Sequence, residues 1–162
     1  MVRVQSKNRP GHFWAVDEGV EGYLMRQEEL FRVIRPGLSG SQGVSFESVM
    51  RPGYYICRKD GEVFVLDAVS HGAPLDEFNA EATWLVRNDI YYQGYTSFES
   101  VVTPGHFIRH VNRKLKVTAI DESDGGDKND ASFLMTDINS GDNIMIDENS
   151  WRHRLFPLFL LL

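Results

Sequence analysis

The sequence contains a single cysteine, Cys57, and no Asn-x-Ser/Thr triplet. One cysteine excludes an intrachain disulfide, and with it the small secreted scaffolds that depend on several disulfides. The first residues also lack the apolar core of a signal peptide. These absences favour an intracellular protein, which is our expectation for its localisation.

Positive charge is scarce as well, because 17 Lys and Arg residues face 23 Asp and Glu residues and leave a net charge of -6. Non-specific binding of nucleic acid needs a basic surface, so we expect no nucleic-acid partner.

Long apolar runs are missing too. The almost wholly apolar residues 155–162 are too few to span a bilayer, which takes about 20 residues. We expect no transmembrane segment, and an apolar C-terminal tail that either packs on its own domain or binds a protein partner or a membrane surface.

The motifs of common catalytic and metal sites are also missing. There is no nucleophile elbow and no phosphate-binding loop. The five histidines do not have the spacing of metal ligands, and the acidic residues 121–130 do not match a calcium loop. We therefore expect no catalytic residues, no metal site and no cofactor. Cys57 lies in an apolar segment and is predicted to be a buried, unreactive thiol.

A segment of about 50 residues occurs twice in the chain. Ser45–Val49 recurs 52 residues later as Ser97–Val101, and both copies continue through Pro-Gly to an isoleucine. Eight of the twelve residues from 45 to 56 are identical in the second copy. A weaker match at Val4–Ser6 and Pro10–Phe13 adds a third copy at the start of the chain. The chain is therefore built from three internal repeats, which begin near residues 2, 44 and 96.

Each repeat predicts four short strands. Apolar and polar residues alternate in Ser-Phe-Glu-Ser-Val with the period of a strand, and a Pro-Gly turn follows. Two more strands are separated by a polar turn, and the fourth surrounds an aromatic residue, which is Phe31, Trp84 or Phe133. No segment shows a long helical period. Four strands in each of three repeats are typical of a β-trefoil, so we predict an all-β fold with pseudo-three-fold symmetry.

The repeats also predict the domain boundaries. They span about 2–43, 44–95 and 96–150, which gives a single domain over residues 1–154 followed by the tail, 155–162. The aromatic residue of the fourth strand stands 16 or 17 residues before a serine in the first two repeats, and Phe133 stands 17 residues before Ser150. Residues 144–150 are therefore predicted to be a degraded copy of the repeat's first strand.

The third repeat carries a set of motifs that resembles a known family. The chain resembles the arabinose-binding module found at the C-terminus of α-L-arabinofuranosidase B, most strongly in the third repeat, less in the second and faintly in the first. The residues that carry the resemblance are Ser97–Val101, Pro104-Gly105-His106-Phe107, Ile108-Arg109-His110 and Asn129-Asp130-Ala131-Ser132-Phe133. The family is a β-trefoil that binds arabinofuranose side chains of plant polysaccharides, so the resemblance implies the same fold and ligand.

The resemblance also implies the binding residues. The family's pocket uses the histidine after Ile-Arg and the aspartate before Ala-Ser-Phe, which are His110 and Asp130, with Asn129 beside the aspartate and Phe107 against the apolar face of the sugar. Carboxylates and imidazoles hydrogen-bond sugar hydroxyls well. A structural role for His110 and Asp130, as a pair that ties two strands together, is the alternative.

The other two repeats depart from this pattern. The second has Arg58 and Glu81 in place of the histidine and aspartate, and we expect these two residues to form a salt bridge that fills the pocket. The first has Val16 and Glu28, and the side chain of valine cannot hydrogen-bond a ligand. At most one pocket, in the third repeat, is complete.

Two hypotheses for function follow. The first is a non-catalytic carbohydrate-binding module for an arabinofuranose-containing glycan. The second is an intracellular protein-interaction or scaffold subunit of a larger assembly, which has lost sugar binding and engages its partner through the tail.

Overall fold

The computed structural model describes residues 1–147. The predicted tail at 155–162 and the predicted domain end at 154 lie outside these residues. The described chain is all-β, with thirteen strands and three short helices. The first repeat has β1 (Val2–Ser6), β2 (Phe13–Val16), β3 (Gly22–Met25) and β4 (Phe31–Ile34). The second has β5 (Ser45–Ser48), β6 (Tyr55–Lys59), β7 (Glu62–Leu66), α1 (Ala68–His71), α2 (Leu75–Glu81) and β8 (Trp84–Asn88). The third has β9 (Thr96–Ser100), β10 (His106–Val111), β11 (Lys114–Ala119), α3 (Gly125–Asp130) and β12 (Phe133–Asp137), and β13 (Asn143–Ile144) follows it.

The first and fourth strands of the repeats form a closed antiparallel barrel. The fourth strand of each repeat pairs with the first strand of the next in one register, in which the aromatic residue faces a serine: Phe31 faces Ser48 and Trp84 faces Ser100. The last repeat pairs back to the first in the same register, because Phe133 faces Ser6. Within each repeat the first and fourth strands also meet, at Val2 and Phe31, Val44 and Trp84, and Thr96 and Phe133.

The second and third strands of each repeat form a hairpin, β2–β3, β6–β7 or β10–β11. The three hairpins pair with one another through Lys114 and Tyr23, Lys116 and Glu62, and Glu21 and Phe64. Each repeat therefore contributes two strands to the barrel and one hairpin to this second layer, and its four strands are those that the sequence predicted.

Aromatic rings fill the core. Trp14 packs edge-on against Phe46, Phe98 and Phe133, with ring centroids 5.2 to 5.3 Å apart. These four residues are fully buried, as expected for the apolar positions of the alternating strands. Burial of a large aromatic side chain stabilises the fold by roughly 1.5–3 kcal/mol. The predicted core position of the phenylalanine in Ser-Phe-Glu-Ser is confirmed.

The turn after each first strand is held in the same way in all three repeats. The hydroxyls of Ser6, Ser48 and Ser100 each accept a hydrogen bond from the backbone N–H three residues later, at 3.3, 3.1 and 3.1 Å. The Pro-Gly pair that follows has its glycine at a φ of +77° to +86°, a conformation that favours glycine. These turns place three short segments, 7–9, 49–51 and 101–103, at equivalent positions around the barrel.

Two features differ from the sequence prediction. The three helices were not indicated, because elements of four to seven residues are too short to show a helical period. The predicted copy of the first strand at 144–150 is wrong in register over its described part. Its spacing would put residue 148 opposite Met135, but Met135 pairs with Ile144. The predicted copy would have placed a serine opposite Phe133, and Ser6 of β1 takes that place.

Candidate functional site

Three equivalent sites lie outside the barrel, one in each repeat. Each is defined by three positions of the repeat. One lies near the end of the second strand, and one lies three residues before the aromatic residue of the fourth strand. The last is the middle residue of the turn after the first strand of the next repeat, 7–9, 49–51 or 101–103. We call them the first, second and third sites. Their residues are Val16, Glu28 and Met50 in the first, Arg58, Glu81 and Val102 in the second, and His110, Asp130 and Asn8 in the third.

The third site brings together the two residues that the sequence singled out. The Nε2 atom of His110 lies 3.3 Å from Oδ1 of Asp130. The His110 side chain is almost fully buried, and the Asp130 side chain is 21% exposed. β10 supplies the histidine and the last residue of α3 supplies the aspartate.

Asn8 links the two residues from a distant part of the sequence. Its Nδ2 atom donates a hydrogen bond to Oδ1 of Asp130 at 2.7 Å, and its Oδ1 atom lies 2.7 Å from Nε2 of His110. Since an amide oxygen only accepts, Nε2 of His110 carries the hydrogen. Asn8 itself is exposed. It therefore lies at the mouth of the site, where it occupies the donor of His110 and the acceptor of Asp130.

Sequence reasoning missed Asn8 because the contact joins residues 102 and 122 positions apart. The turn aligns with Val49-Met50-Arg51 and Val101-Val102-Thr103, which have an apolar residue where Asn8 stands. That departure from the repeat pattern is the signal that could have revealed it.

Arg109 anchors the helix that carries the aspartate. Its Nη1 and Nη2 atoms form ion pairs with Asp127 at 2.9 Å and Asp130 at 2.7 Å. All three side chains are 15% to 21% exposed. Charge-assisted hydrogen bonds of this length are among the stronger polar contacts in proteins. The guanidinium therefore fixes α3 against β10 and orients the carboxylate towards His110.

The imidazole of the third site is held neutral. Burial lowers the pKa of His110, and the nearby cations Arg9 and Arg109 lower it further, while the Asp130 carboxylate opposes them. The direction is downward from the ordinary value of 6.5. The site therefore presents a neutral N–H donor beside a carboxylate near neutral pH.

The other two predicted residues are engaged within the protein. Phe107 is 5% exposed and packs edge-on against Tyr91, with ring centroids 5.7 Å apart. Asn129 accepts a hydrogen bond from Nζ of Lys7 at 2.8 Å and donates one to the carbonyl of Gly125 at 2.9 Å. The ring of Phe107 thus packs on Tyr91, and the side chain of Asn129 holds Lys7.

The second site is closed by the predicted salt bridge. Nη1 of Arg58 lies 2.9 and 3.2 Å from the two carboxylate oxygens of Glu81. The side chains are 26% and 17% exposed, so the pair is partly shielded from water. The prediction that these residues pair in place of histidine and aspartate is confirmed.

The first site is an open groove with a volume of about 600 Å³. Val16, Met25, Leu30 and Met50 are among its apolar lining residues. Glu28, at the position of Asp130, forms a long ion pair of 3.7 Å with Arg3. The groove therefore has space for a ligand but lacks the paired donor and acceptor of the third site.

Other kinds of site find no support in the described part of the chain. Residues 1–147 contain no group of three or more His, Cys, Asp or Glu side chains placed to hold a metal ion. Within the same residues, no helix is both long and apolar enough to cross a membrane. Cys57 is fully buried, and burial raises the pKa of its thiol to about 12, as predicted for an unreactive cysteine.

The chain has clear relatives among known proteins. The family model of the alpha-L-arabinofuranosidase B (ABFB) domain matches residues 2–135. Alpha-L-arabinofuranosidase 43 of Humicola insolens is 34% identical over 100 residues, which are 59% of this chain and 20% of that protein. The chain thus corresponds to about a fifth of that curated relative.

Solved structures share the fold. A GH54 α-L-arabinofuranosidase soaked with a cyclic sulfate inhibitor superposes with a TM-score of 0.68 at 22% identity, over 83% of this chain and 30% of that one. A GlcNAcα1-4Gal-releasing endo-β-galactosidase from Clostridium perfringens gives 0.59 at 10% identity, over 89% of this chain and 32% of that one. At these identities the likeness establishes the fold alone. Because the family model covers most of the chain, the protein belongs to the alpha-L-arabinofuranosidase B (ABFB) domain family.

Proposed function

We propose that this chain is a non-catalytic carbohydrate-binding module, a β-trefoil in which the third site alone binds an arabinofuranose side chain of a glycan. Family membership supports the ligand class. The trefoil architecture is supported by three repeats of four strands, whose first and fourth strands close the barrel and whose hairpins pair with one another.

The observation that carries this proposal is the pairing of His110 and Asp130. A sugar hydroxyl both donates and accepts a hydrogen bond. The neutral Nε2–H of His110 can donate to such a hydroxyl, and the carboxylate oxygen of Asp130, 3.3 Å away, can accept from it. Asn8 now makes both of these hydrogen bonds with its amide. A bound hydroxyl would replace the exposed amide of Asn8 on the same two atoms.

The contrast with the other sites supports a single binding site. In the second site the Arg58 guanidinium already binds the Glu81 carboxylate. In the first, the side chain of Val16 cannot form a hydrogen bond. Hydrogen bonds to hydroxyls provide most of the specificity for a sugar, and neither site has the histidine and aspartate pair of the third.

The charges at the third site favour binding over catalysis. Glycoside hydrolysis uses two carboxyl groups on either side of the scissile bond, one of them as the proton donor. The nearest carboxylates, Asp127 and Asp130, both lie on the Arg109 guanidinium. Both carboxylates therefore bind one guanidinium instead of lying on opposite sides of a ligand.

Calorimetric titration with a neutral arabinofuranosyl oligosaccharide tests the proposal. We expect a dissociation constant on the order of 0.1 to 1 mM, or about -4 to -5.5 kcal/mol, for the wild type. Asp130→Asn should abolish measurable binding, because Arg109 would retain the amide oxygen and the amide nitrogen left facing His110 cannot accept from the ligand. The fold should persist, since Arg109 keeps its ion pair with Asp127. The matched control is Glu81→Gln, the equivalent change in the second site, which should leave binding unaltered. Absence of heat from the wild type at millimolar sugar, or equal binding by Asp130→Asn, would overturn the proposal.

A further inference from the structure

A lysine ammonium group is held beside the third site. Nζ of Lys7 lies 4.1 Å from the centroid of the Tyr92 ring and 5.4 Å from that of Tyr95. The same atom donates a hydrogen bond of 2.8 Å to Oδ1 of Asn129. Two aromatic faces and an amide oxygen stabilise the cation without neutralising it. Its side chain is partly buried and ordered by these contacts.

This ammonium is directly next to the groups proposed to bind sugar. Lys7-Asn8 and Asn129-Asp130 are two pairs of neighbouring residues that face each other. Lys7 contacts Asn129 at 2.8 Å, and Asn8 contacts Asp130 at 2.7 Å. Lys7 therefore borders one side of the place where a sugar would sit on His110 and Asp130, and a neighbouring sugar residue on that side would meet it. Asn129 acts here through Lys7, as the residue that positions it.

The cation is specific to the third site and carries net charge. The equivalent residues in the other turns are Val49 and Val101. Within residues 1–147, no carboxylate lies in ion-pair range of Lys7 or of Arg9, which is exposed in the same turn. Arg109 offsets one of the two carboxylates, Asp127 and Asp130, and Lys7 and Arg9 add two further positive charges. These five charged groups therefore leave one positive charge at the third site, in a chain with a net charge of -6.

We infer that the third site selects arabinofuranosyl glycans that carry a carboxylate, as in a uronic acid, on the sugar next to the bound pentose, and that Lys7 binds this carboxylate. The inference rests on the proposed function, since it assigns the substrate class of the same site. Lys7 has already lost most of its rotamer freedom to Tyr92, Tyr95 and Asn129, so a carboxylate gains the interaction at reduced entropic cost. An ammonium with three N–H groups uses one on Asn129 and retains donors for the ligand.

The test compares two oligosaccharides that differ only in a glucuronic acid substituent on the sugar that bears the arabinofuranose. Both are titrated calorimetrically into the wild type at low and at high salt. We expect the acidic ligand to bind about fivefold more tightly at low salt, which is the strength of a well-placed surface ion pair. High salt should reduce this preference, because the added ions screen the attraction.

Variants at Lys7 then separate charge from packing. Lys7→Met keeps the apolar stem over the rings and removes the charge, so it should lose the preference and keep the neutral ligand's affinity within about twofold. Lys7→Arg should retain the preference. The control Lys59→Gln removes the same charge from the second repeat and should change nothing.

The outcomes distinguish this inference from the proposed function. Equal binding of both ligands by the wild type, or a preference that survives in Lys7→Met, overturns the role of Lys7 and leaves sugar binding standing. Failure of the wild type to bind either ligand overturns both.

Discussion

The Arg58 guanidinium holds both carboxylate oxygens of Glu81, at 2.9 and 3.2 Å, at the positions where His110 and Asp130 meet in the third repeat. The same two positions of the repeat thus carry an ion pair in the second repeat and a neutral donor with a carboxylate in the third. The first pair is suited to holding its helix in place, and the second is suited to a hydroxyl ligand.

The ion pair of the second site should stabilise the fold. A double-mutant cycle of Arg58→Ala and Glu81→Ala, followed by urea unfolding, should give a coupling free energy of about 1 to 2 kcal/mol, because both side chains are partly shielded from water. Arg32 and Glu47 provide the control, at 3.9 Å with Arg32 48% exposed. Their coupling should fall below about 0.5 kcal/mol. Additive losses at Arg58 and Glu81 would show that the pair contributes no interaction of its own.

Removal of Asn8 should tighten sugar binding. The amide of Asn8 occupies the donor and the acceptor that a hydroxyl would use. In Asn8→Ala these buried or partly buried groups lack that partner in the free protein, at a cost of about 1–3 kcal/mol in stability. A ligand that restores both hydrogen bonds recovers part of this loss, so calorimetry should show an affinity severalfold higher than that of the wild type. Met50→Ala, at the equivalent position of the first site, is the control and should leave the affinity unchanged. A weaker affinity in Asn8→Ala would instead make Asn8 a direct ligand of the sugar.

Stability should decrease as the pH falls from 7 to 5, in part through His110. Burial lowers the pKa of His110 in the folded state below the ordinary 6.5 of the unfolded chain. Between these two pKa values the unfolded state binds a proton at His110 and the folded state does not. The contribution is therefore fully present above pH 6.5 and is lost as the pH falls through the folded pKa, at no more than about 1.4 kcal/mol per pH unit.

The comparison is between the wild type and His110→Gln, unfolded in urea at pH 7 and pH 5. The side chain of glutamine can also donate to Asn8, and it does not titrate. The free energy of unfolding should therefore drop less with pH in the variant. An equal drop in both proteins would show that His110 is not the group responsible.

The sequence predicted the parts of the fold that repeat locally. The alternation in Ser-Phe-Glu-Ser, the Pro-Gly turns and the fourth-strand aromatics recur at fixed spacings, so the strands and the buried positions of Phe46 and Phe98 could be inferred. The pairing of Arg58 with Glu81 followed because the repeat aligns both residues with His110 and Asp130.

The parts that depend on closure of the barrel could not be predicted in this way. β1 pairs with β12 across nearly the whole chain, and the sequence favoured a local copy at 144–150 for that place. The same closure brings Lys7 and Asn8 to the third site, and both residues depart from the repeat pattern, which has apolar residues at these positions. Contacts between distant residues leave no periodic signal, so the turn that completes the site became visible only in three dimensions.

The most direct test of the central claim is a titration of the ¹⁵N-labelled protein with methyl α-L-arabinofuranoside, followed by amide chemical shifts. We predict saturable shifts confined to the third site, in residues 7–9, 107–110 and 127–131. The equivalent positions of the first and second repeats serve as internal controls. Shifts centred instead on residues 15–17, 27–30 and 49–51, which line the open groove of the first site, would contradict the assignment of sugar binding to His110 and Asp130.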